Sequence, residues 1–305
     1  MTDTAFLFPG QASQAVGMGK DLCDTFPLAR EMFDMADEIL GFGLTEICFG
    51  GPMEELSKTS VTQPAVFLHS VVSARLLAEK GMAPTIVAGH SLGEYSALVT
   101  AGVLDLSAAL RLVRRRGELM QEAGTVRPGA MAAILGVDDA KLVSLCAADA
   151  GVVVAANFNA PGQIVISGEA EAVARVGTAA SEAGAKRVID LPVGGAFHSE
   201  LMQPASEEMA KLLEAAEFSS PTVPVVTNVT AATETDAERL KELLIAQMTA
   251  PVRWTDSVKA VVDAGVTHAC EVGPGAVLKG LVRRIDRSLE VQTMGTSEEI
   301  AAVAA

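Results

Sequence analysis

The sequence predicts an α/β protein organised around a parallel β-sheet. Two apolar runs, Ala5 to Phe8 and Ile86 to Ala88, have the length and composition of buried strands. Each run enters a glycine-containing turn that is followed by residues favouring helices, which is the pattern of parallel sheets. The chain has 305 residues, of which 50% are hydrophobic, so it can hold one large domain with a smaller insertion.

The first half of the chain supplies helices on either side of these strands. Residues 15–56 have the pattern of helices joined by loops. Three further helices are predicted from capping and breaking residues. They run from Gln63 to Lys80, from Glu94 to Ala101, and from a cap at Asp105 or Ser107 to about Ala123.

The second strand runs directly into the sequence Gly89-His-Ser-Leu-Gly93. This spacing is that of a nucleophile elbow, in which two glycines let a strand turn sharply into a helix and present the serine hydroxyl. Ser91 is therefore a candidate nucleophile, and the N–H of Leu92 a candidate donor to an oxyanion. The alternative is a glycine-flanked turn with an incidental serine; the strand before it and the helix after it favour the nucleophile.

Gln11 follows the first strand and its Pro-Gly pair. The carboxyl ends of parallel strands lie at one edge of a sheet, so Gln11 can stand beside Ser91. It could equally cap the next helix, and the spacing does not decide between these interpretations.

Four histidines are present, and His198 is the candidate general base. His69 lies mid-helix, His268 lies in a strand-like run, and His90 is expected to point away from Ser91. His198 instead follows a glycine-rich loop just before a helix, a placement suited to accepting the serine proton. A structural loop histidine is the alternative.

Arg116 is the third polar residue that the pattern singles out. On a helical wheel it falls on the apolar arc formed by Leu110, Val113, Gly117 and Met120. A buried guanidinium needs an anionic partner. The wheel alone favours a structural carboxylate as that partner, with a substrate carboxylate as the alternative.

Residues 125–193 have a pattern of their own, in the order βαββαβ, which is that of a ferredoxin-like subdomain. We expect it to be an insertion that covers one side of the serine, with the large domain formed by residues 1–124 and 194–305. Its predicted strands are 129–137, 152–157, 163–167 and 186–191, and its helices 138–148 and 169–183. The last part of the chain is predicted to hold a strand at 223–229, a helix to residue 248, a second helix, a strand to residue 272 and a closing helix through residue 281.

Composition excludes several classes of function. A formal charge of −15 opposes binding to nucleic acid and to anionic membranes. The four cysteines are far apart, which predicts neither a zinc site nor a disulfide framework, and no metal is expected. No basic signal region precedes the first apolar run, so the expected location is the cytoplasm. The glycine-rich turn Gly273 to Gly275 lacks the lysine of a phosphate loop, so nucleotide binding is not expected.

Several motifs together, in order along nearly the whole chain, resemble the malonyl-CoA:acyl carrier protein transacylases of bacterial fatty-acid synthesis. The motifs are Phe8-Pro-Gly-Gln-Ala-Ser-Gln14, Thr62-Gln-Pro-Ala65, Gly89-His-Ser-Leu-Gly-Glu94, Arg116-Gly117 with Met120, Ala196-Phe-His-Ser199, Gln247 before Pro251-Val-Arg-Trp254, and Glu271-Val-Gly-Pro-Gly275.

The resemblance implies an α/β-hydrolase-like large domain with a ferredoxin-like insertion, and ping-pong malonyl transfer through a serine ester. It implies no cofactor: malonyl-CoA is the substrate, and the acyl carrier protein brings its own phosphopantetheine. We expect a monomer. By position, Ser91 is the nucleophile, His198 its base, Gln11 and Leu92 the oxyanion-hole donors, and Arg116 the residue that binds the malonyl carboxylate. Gln247 orients the histidine through its main-chain carbonyl, Gln63 lies in the pocket wall, and Phe197 is expected to narrow the acyl site.

Two positions depart from the family pattern. Ala12 replaces the usual glycine after the oxyanion-hole glutamine, and Ala276 replaces a frequent lysine after Gly-Pro-Gly. Because alanine accepts a positive φ less readily than glycine, the first change bears on the geometry of the loop that carries Gln11.

Two other functions use the same residues. A serine hydrolase such as a thioesterase would pass the acyl group to water, and a degenerate docking module would only bind carrier proteins. A carboxylate-binding Arg116 and a lid that limits water favour transfer, and the intact Ser91 and His198 oppose a mere docking role. The acidic carrier protein is expected to meet a local basic rim, for which the candidates are Arg111, Arg114, Arg115, Lys186, Arg187, Arg283, Arg284 and Arg287.

Overall fold

The computed structural model describes residues 3–303 and shows an α/β fold with two β-sheets. The strands are β1 (Thr4–Phe8), β2 (Ile86–Gly89), β3 (Gly129–Leu135), β4 (Val153–Ala160), β5 (Gln163–Glu169), β6 (Arg187–Asp190), β7 (Val225–Val226), β8 (Thr233–Glu234), β9 (His268–Val272) and β10 (Glu290–Met294).

Helices cover both faces of the larger sheet and one face of the smaller. They are α1 (Lys20–Thr25), α2 (Pro27–Leu40), α3 (Leu44–Gly50), α4 (Met53–Leu56), α5 (Thr59–Glu79), α6 (Gly93–Thr100), α7 (Leu106–Val126), α8 (Asp139–Ala148), α9 (Ala170–Glu182), α10 (Gln203–Ala215), α11 (Ala237–Ala246), α12 (Trp254–Asp263), α13 (Val277–Ile285) and α14 (Ser297–Ala301), with a 3₁₀ turn at Glu200–Met202.

The larger sheet has the strand order β10-β9-β1-β2-β7-β8, and every neighbouring pair except β7 with β8 is parallel. Both predicted strands lie at its centre: β1 pairs with β2 in the register Ala5 to Ile86 and Phe8 to Gly89. Their side chains are buried on both faces, which explains their continuous apolar sequence. Because the strands are parallel, β1 and β2 end at the same edge, where Gln11 and Ser91 follow them.

The smaller sheet is antiparallel, with the strand order β4-β5-β3-β6 and with α8 and α9 packed on it. The elements from β3 to β6 follow the predicted order βαββαβ. Ile134, Ile166 and Val173 belong to a separate apolar cluster inside this unit. The unit meets the rest of the chain where Asn157 bridges Val252, and Phe158 N–H donates to the Val252 carbonyl at 2.9 Å.

The predicted start of one helix was wrong. Helix α5 begins at Thr59 and contains Pro64 in its interior, whereas the prediction placed the proline in its first turn. A proline removes the N–H that would bond four residues back, which leaves the Ser60 carbonyl free. Arg114 Nη1 donates to that carbonyl at 2.7 Å, so a side chain from α7 replaces the missing backbone bond.

The strand predicted for residues 223–229 was too long, and β8 was missed. Only Val225 and Val226 pair with β2. Thr227 N–H donates to the Ala232 carbonyl at 3.1 Å, which turns the chain back into β8. Across residues 3–303, no helix is long and apolar enough to cross a membrane, and no group of three His, Cys, Asp or Glu side chains could hold a metal ion.

Candidate active site

Ser91 occupies a strained turn between β2 and α6. Its φ is +50°, a left-handed value that costs a non-glycine residue energy, and such strain is frequent at functional sites. The two flanking glycines are required by close backbone approach. A Cβ on Gly89 would lie 2.0 Å from the Gly93 carbonyl, and a Cβ on Gly93 would lie 2.1 Å from the Phe8 carbonyl. The turn therefore has the geometry of a nucleophile elbow.

His198 lies beside this serine in the geometry of a general base. Its Nε2 is 2.8 Å from Ser91 Oγ. Its Nδ1 lies 2.9 Å from the Gln247 carbonyl and 3.2 Å from the Ala250 carbonyl. Carbonyls only accept, so Nδ1 carries the ring proton and Nε2 is left to accept the proton of the serine.

The imidazole of His198 is neutral in this site. Burial, followed by the positive charge of Arg116, lowers its pKa to about 3. The main-chain carbonyl of Gln247, the residue that the resemblance assigns to orienting the histidine, accepts from Nδ1 and fixes the tautomer of the ring. The arrangement can accept a proton from Ser91 without a third acidic residue on the histidine.

Arg116 is buried at 1% exposure and points at the same serine. It donates to Gln63 Oε1 at 2.8 Å, to Gln247 Oε1 at 2.9 Å and to Ser91 Oγ at 3.3 Å, and its guanidinium lies 5.6 Å from the centre of the Tyr95 ring. No carboxylate forms an ion pair with it in the described part of the chain. The prediction from the helical wheel that Arg116 pairs with a structural carboxylate is therefore wrong. Gln63, predicted to lie in the pocket wall, contacts the arginine directly.

Gln11 and Leu92 face the serine from two loops. Both line the same cavity as Ser91, and neither backbone N–H has a hydrogen-bond partner among residues 3–303. Ala12 has a φ of +81°, the conformation for which glycine is the usual residue. Ala12 N–H donates to Gln14 Oε1 at 2.8 Å, a bond that helps to hold this loop.

The site opens into a cavity of about 270 Å³ between the two sheets. Phe197, which is 7% exposed, lies in its wall next to His198. His90 is also in the wall, and its Nε2 lies 2.8 Å from Asn159 Oδ1, so it does not contact the serine hydroxyl. The smaller sheet contributes Met131, Ala133, Asn157, Asn159, Gln163 and Val165, and α13 contributes Val277, Leu278 and Leu281.

Known proteins share this sequence and fold. The family model described as the acyl transferase domain matches residues 5–302. The malonyl CoA-acyl carrier protein transacylase of Escherichia coli (strain K12) is 48% identical over 305 residues, covering 99% of both chains. The protein of the same name from Bacillus subtilis (strain 168) is 46% identical over 303 residues, covering 98% of this chain and 96% of its own.

The chain belongs to the malonyl CoA-acyl carrier protein transacylase family. An acyl carrier protein S-malonyltransferase from Vibrio cholerae has a crystal structure similar to this fold, with a TM-score of 0.95, 45% identity and coverage of 99% of this chain and 100% of its own. A malonyl-transacylase solved in complex with its type II PKS acyl-carrier protein has a TM-score of 0.95, 44% identity and 99% coverage of both chains. The family resemblance inferred from the sequence motifs is confirmed.

Two residues of this transacylase family member were missed by the sequence reasoning. Asn228 accepts from Ser91 N–H at 2.7 Å and donates to the Gly89 carbonyl at 2.6 Å, so it fastens both sides of the strained turn. Glu94 Oε2 accepts from Gln247 Nε2 at 2.8 Å and from Asn228 N–H at 3.2 Å. No sequence pattern identifies Asn228. Glu94 belongs to the elbow motif, and a carboxylate in the apolar helix that follows the elbow is a signal that could have identified it.

Proposed function

We propose that the protein transfers a malonyl group from malonyl-CoA to the phosphopantetheine thiol of acyl carrier protein, in fatty-acid or polyketide synthesis. The observation that carries this proposal is the position of Arg116: a buried, unpaired guanidinium beside the Ser91 and His198 pair. A site for uncharged acyl groups would have no use for such a charge. The names of the relatives support the same reaction.

The reaction proceeds in two half-reactions at the same atoms. His198 Nε2 takes the proton of Ser91 Oγ as the oxygen attacks the thioester carbonyl of malonyl-CoA. The N–H groups of Gln11 and Leu92 stabilise the tetrahedral oxyanion. As the C–S bond breaks, His198 returns the proton to the CoA sulfur, which leaves malonyl-Ser91. The thiol of the carrier protein then repeats these steps in reverse.

Arg116 binds the free carboxylate of the malonyl group throughout. Its two terminal nitrogens can form a bidentate pair with a carboxylate, provided that Nη2 releases Ser91 Oγ. The same pairing holds the thioester carbonyl within reach of Ser91. Phe197 narrows the space around the acyl α-carbon and selects against branched acyl groups.

The domain arrangement that we propose follows the two sheets. Residues 1–124 and 194–305 form an α/β-hydrolase-like domain, and residues 125–193 form a ferredoxin-like insertion; residues 1, 2, 304 and 305 lie outside the described part. The parallel order around β1 and β2 and the antiparallel order β4-β5-β3-β6 support this division. We further propose a cytoplasmic monomer that needs no cofactor or metal.

Mass spectrometry of the intact protein tests the reaction. After brief exposure to malonyl-CoA, the parent protein should gain the mass of one malonyl group, and acyl carrier protein should then remove it. Ser91→Ala should gain nothing, because the acceptor oxygen is absent, and His198→Ala should load far more slowly. A malonyl adduct on Ser91→Ala would exclude the serine ester. Loss of the adduct to water at the same rate with and without carrier protein would indicate a thioesterase instead.

A further inference from the structure

Glu94 is a buried carboxylate one amide group away from Arg116. Gln247 lies between the two charges: its Oε1 accepts from Arg116 Nη2 at 2.9 Å, and its Nε2 donates to Glu94 Oε2 at 2.8 Å. Glu94 is 1% exposed, and its other recorded partner is Asn228 N–H at 3.2 Å. The side chain thus accepts two hydrogen bonds from neutral groups and has no cation in direct contact.

We propose that Glu94 is the counter-charge of Arg116 in the free protein and takes up a proton when the malonyl carboxylate binds to Arg116. The inference rests on the proposed function, because it requires a substrate with a second carboxylate. Glu94 does not touch the substrate. It acts through Gln247 and is a positioning residue.

The reason is the charge balance of a closed site. In the free protein, one buried guanidinium and one buried carboxylate offset each other across the Gln247 amide. A bound malonyl carboxylate brings a second negative charge to the same guanidinium, and two carboxylates that share one cation in a buried site cannot both remain ionised without cost. The malonyl carboxylate pairs with Arg116 directly, so the proton goes to the more distant Glu94.

Apart from the positively charged Arg116, the titratable groups around Glu94 are neutral near pH 7. Tyr95, its neighbour in α6, has a pKa raised to about 12 by burial. His198, beyond Gln247, has a pKa lowered to about 3, and burial also lowers the pKa of His90 on the other side of the elbow. The polar side chain that α5 presents to Arg116 is the amide of Gln63. Burial raises the pKa of Glu94 itself to about 7, so it is the group that can change charge in the working range.

Proton uptake during loading tests the inference. The parent protein is mixed with excess malonyl-CoA at pH 7.5 in weakly buffered solution containing an indicator dye, and acylation is followed in the same sample by mass spectrometry. A carboxyl group with a pKa of about 7 is about three-quarters ionised at this pH, so uptake should approach about 0.75 proton per malonyl-Ser91 formed. Acetyl-CoA, which lacks the second carboxylate, controls for protons released by the CoA thiol.

Glu94→Gln separates this role from a structural one. The amide keeps the shape and an acceptor for Gln247 Nε2, and it imitates the protonated acid. Proton uptake should disappear, and the decline of malonyl kcat/KM above about pH 7, expected in the parent because Glu94 resists protonation there, should disappear as well. Acetyl transfer should show no such decline in either protein.

The possible failures are distinct. Absence of the malonyl adduct would overturn the proposed function itself. An adduct that forms in the parent without proton uptake, or uptake that persists in Glu94→Gln, would overturn the counter-charge role and leave the transfer reaction standing. If Glu94→Gln does not fold, the parent decides alone, because uptake by His198 would be small at pH 7.5 and grow on acidification, whereas uptake by Glu94 would vanish below about pH 6.

Discussion

At the scale of single residues, Arg116 has no carboxylate in direct contact and is placed to bind one. Two amide oxygens and the serine hydroxyl accept its hydrogen bonds, and burial lowers its pKa without an acidic partner in direct contact. A guanidinium left unpaired with an uncharged substrate carries a penalty on the order of 2–5 kcal/mol. The site therefore selects substrates with a second carboxylate, because an acetyl group would leave the guanidinium of Arg116 without an anionic partner.

Arg116→Ala should lower kcat/KM for malonyl-CoA by several hundredfold and leave acetyl-CoA transfer unchanged or improved. Arg116→Lys should recover little, because an ammonium cannot reproduce the bidentate fork. Arg115→Ala is the matched control, since its neighbouring guanidinium pairs with Glu118 and Glu122 outside the site. The measurement is kcat/KM for both thioesters in all four proteins. Equal losses for malonyl and acetyl transfer in Arg116→Ala would make Arg116 a structural residue.

At the scale of elements, the parts of the site that lie within one strand, turn or helix could be predicted from the sequence. The glycine-flanked turn between a strand and a helix predicts the elbow at Ser91, and the helical wheel places Arg116 on the buried face of α7. The hydrogen-bond partners of Arg116 could not be predicted from a local pattern, because Gln63 and Gln247 are 53 and 131 residues away from it in the sequence. Asn228 is equally remote: it reaches Ser91 from the turn between β7 and β8, a strand pair too short to show a periodic pattern.

Helix α13 lies at the cavity and carries two arginines of the predicted basic rim. Leu278 and Leu281 face the cavity, while Arg283, Arg284 and the following Arg287 are exposed. The carboxylate of Glu271 accepts from Leu278 N–H at 2.9 Å and Lys279 N–H at 2.8 Å, which fixes the start of the helix. Arg114 and Arg115, by contrast, pair with glutamates on their own helix, so we remove both from the candidates for carrier docking.

Arg283→Glu with Arg287→Glu should raise the KM for acyl carrier protein several-fold and leave malonyl loading from CoA nearly unchanged, because the partner is acidic and the cavity is untouched. In the parent, added salt should likewise raise the carrier KM more than it slows loading. Arg75→Glu makes the same change in charge as either of these substitutions alone and is the control for the two single variants, since Arg75 is exposed at a second cavity that shares no lining residue with the active site. A loss of the same size in Arg75→Glu would show that overall charge, and not α13, governs docking.

At the scale of the whole molecule, buried titratable groups couple folding to pH in opposing directions. Burial lowers the pKa of His69, His90 and His198 from the usual 6.5, so below that pH the unfolded chain binds protons that the native state refuses. Burial raises the pKa of Glu94 to about 7 and raises that of Glu271 above its usual 4.5, so above pH 4.5 and up to its own native pKa each group binds a proton preferentially in the native state. Between pH 4.5 and 6.5 the two carboxyl groups offset part of the effect of the three histidines, and below pH 4.5 only the histidine effect remains.

The free energy of unfolding should therefore fall less steeply between pH 6.5 and 4.5 than below pH 4.5, where the slope reaches up to ~4 kcal/mol per pH unit if all three histidines contribute one proton each. Chemical denaturation at closely spaced pH values measures this slope. His69→Gln is the informative variant: His69 lies away from Ser91 and contacts the Gly295 carbonyl through Nε2 at 2.8 Å, a bond that a glutamine amide can also donate. Whatever its effect on stability at pH 7, the variant should lose ~1.4 kcal/mol per pH unit from the acid slope, because one titrating group has been removed. If the variant has the same acid slope as the parent, His69 does not contribute to it. Either His69 is already protonated in the native state, or carboxylates such as Asp149, which pairs with Arg175, determine the pH at which the protein unfolds in acid.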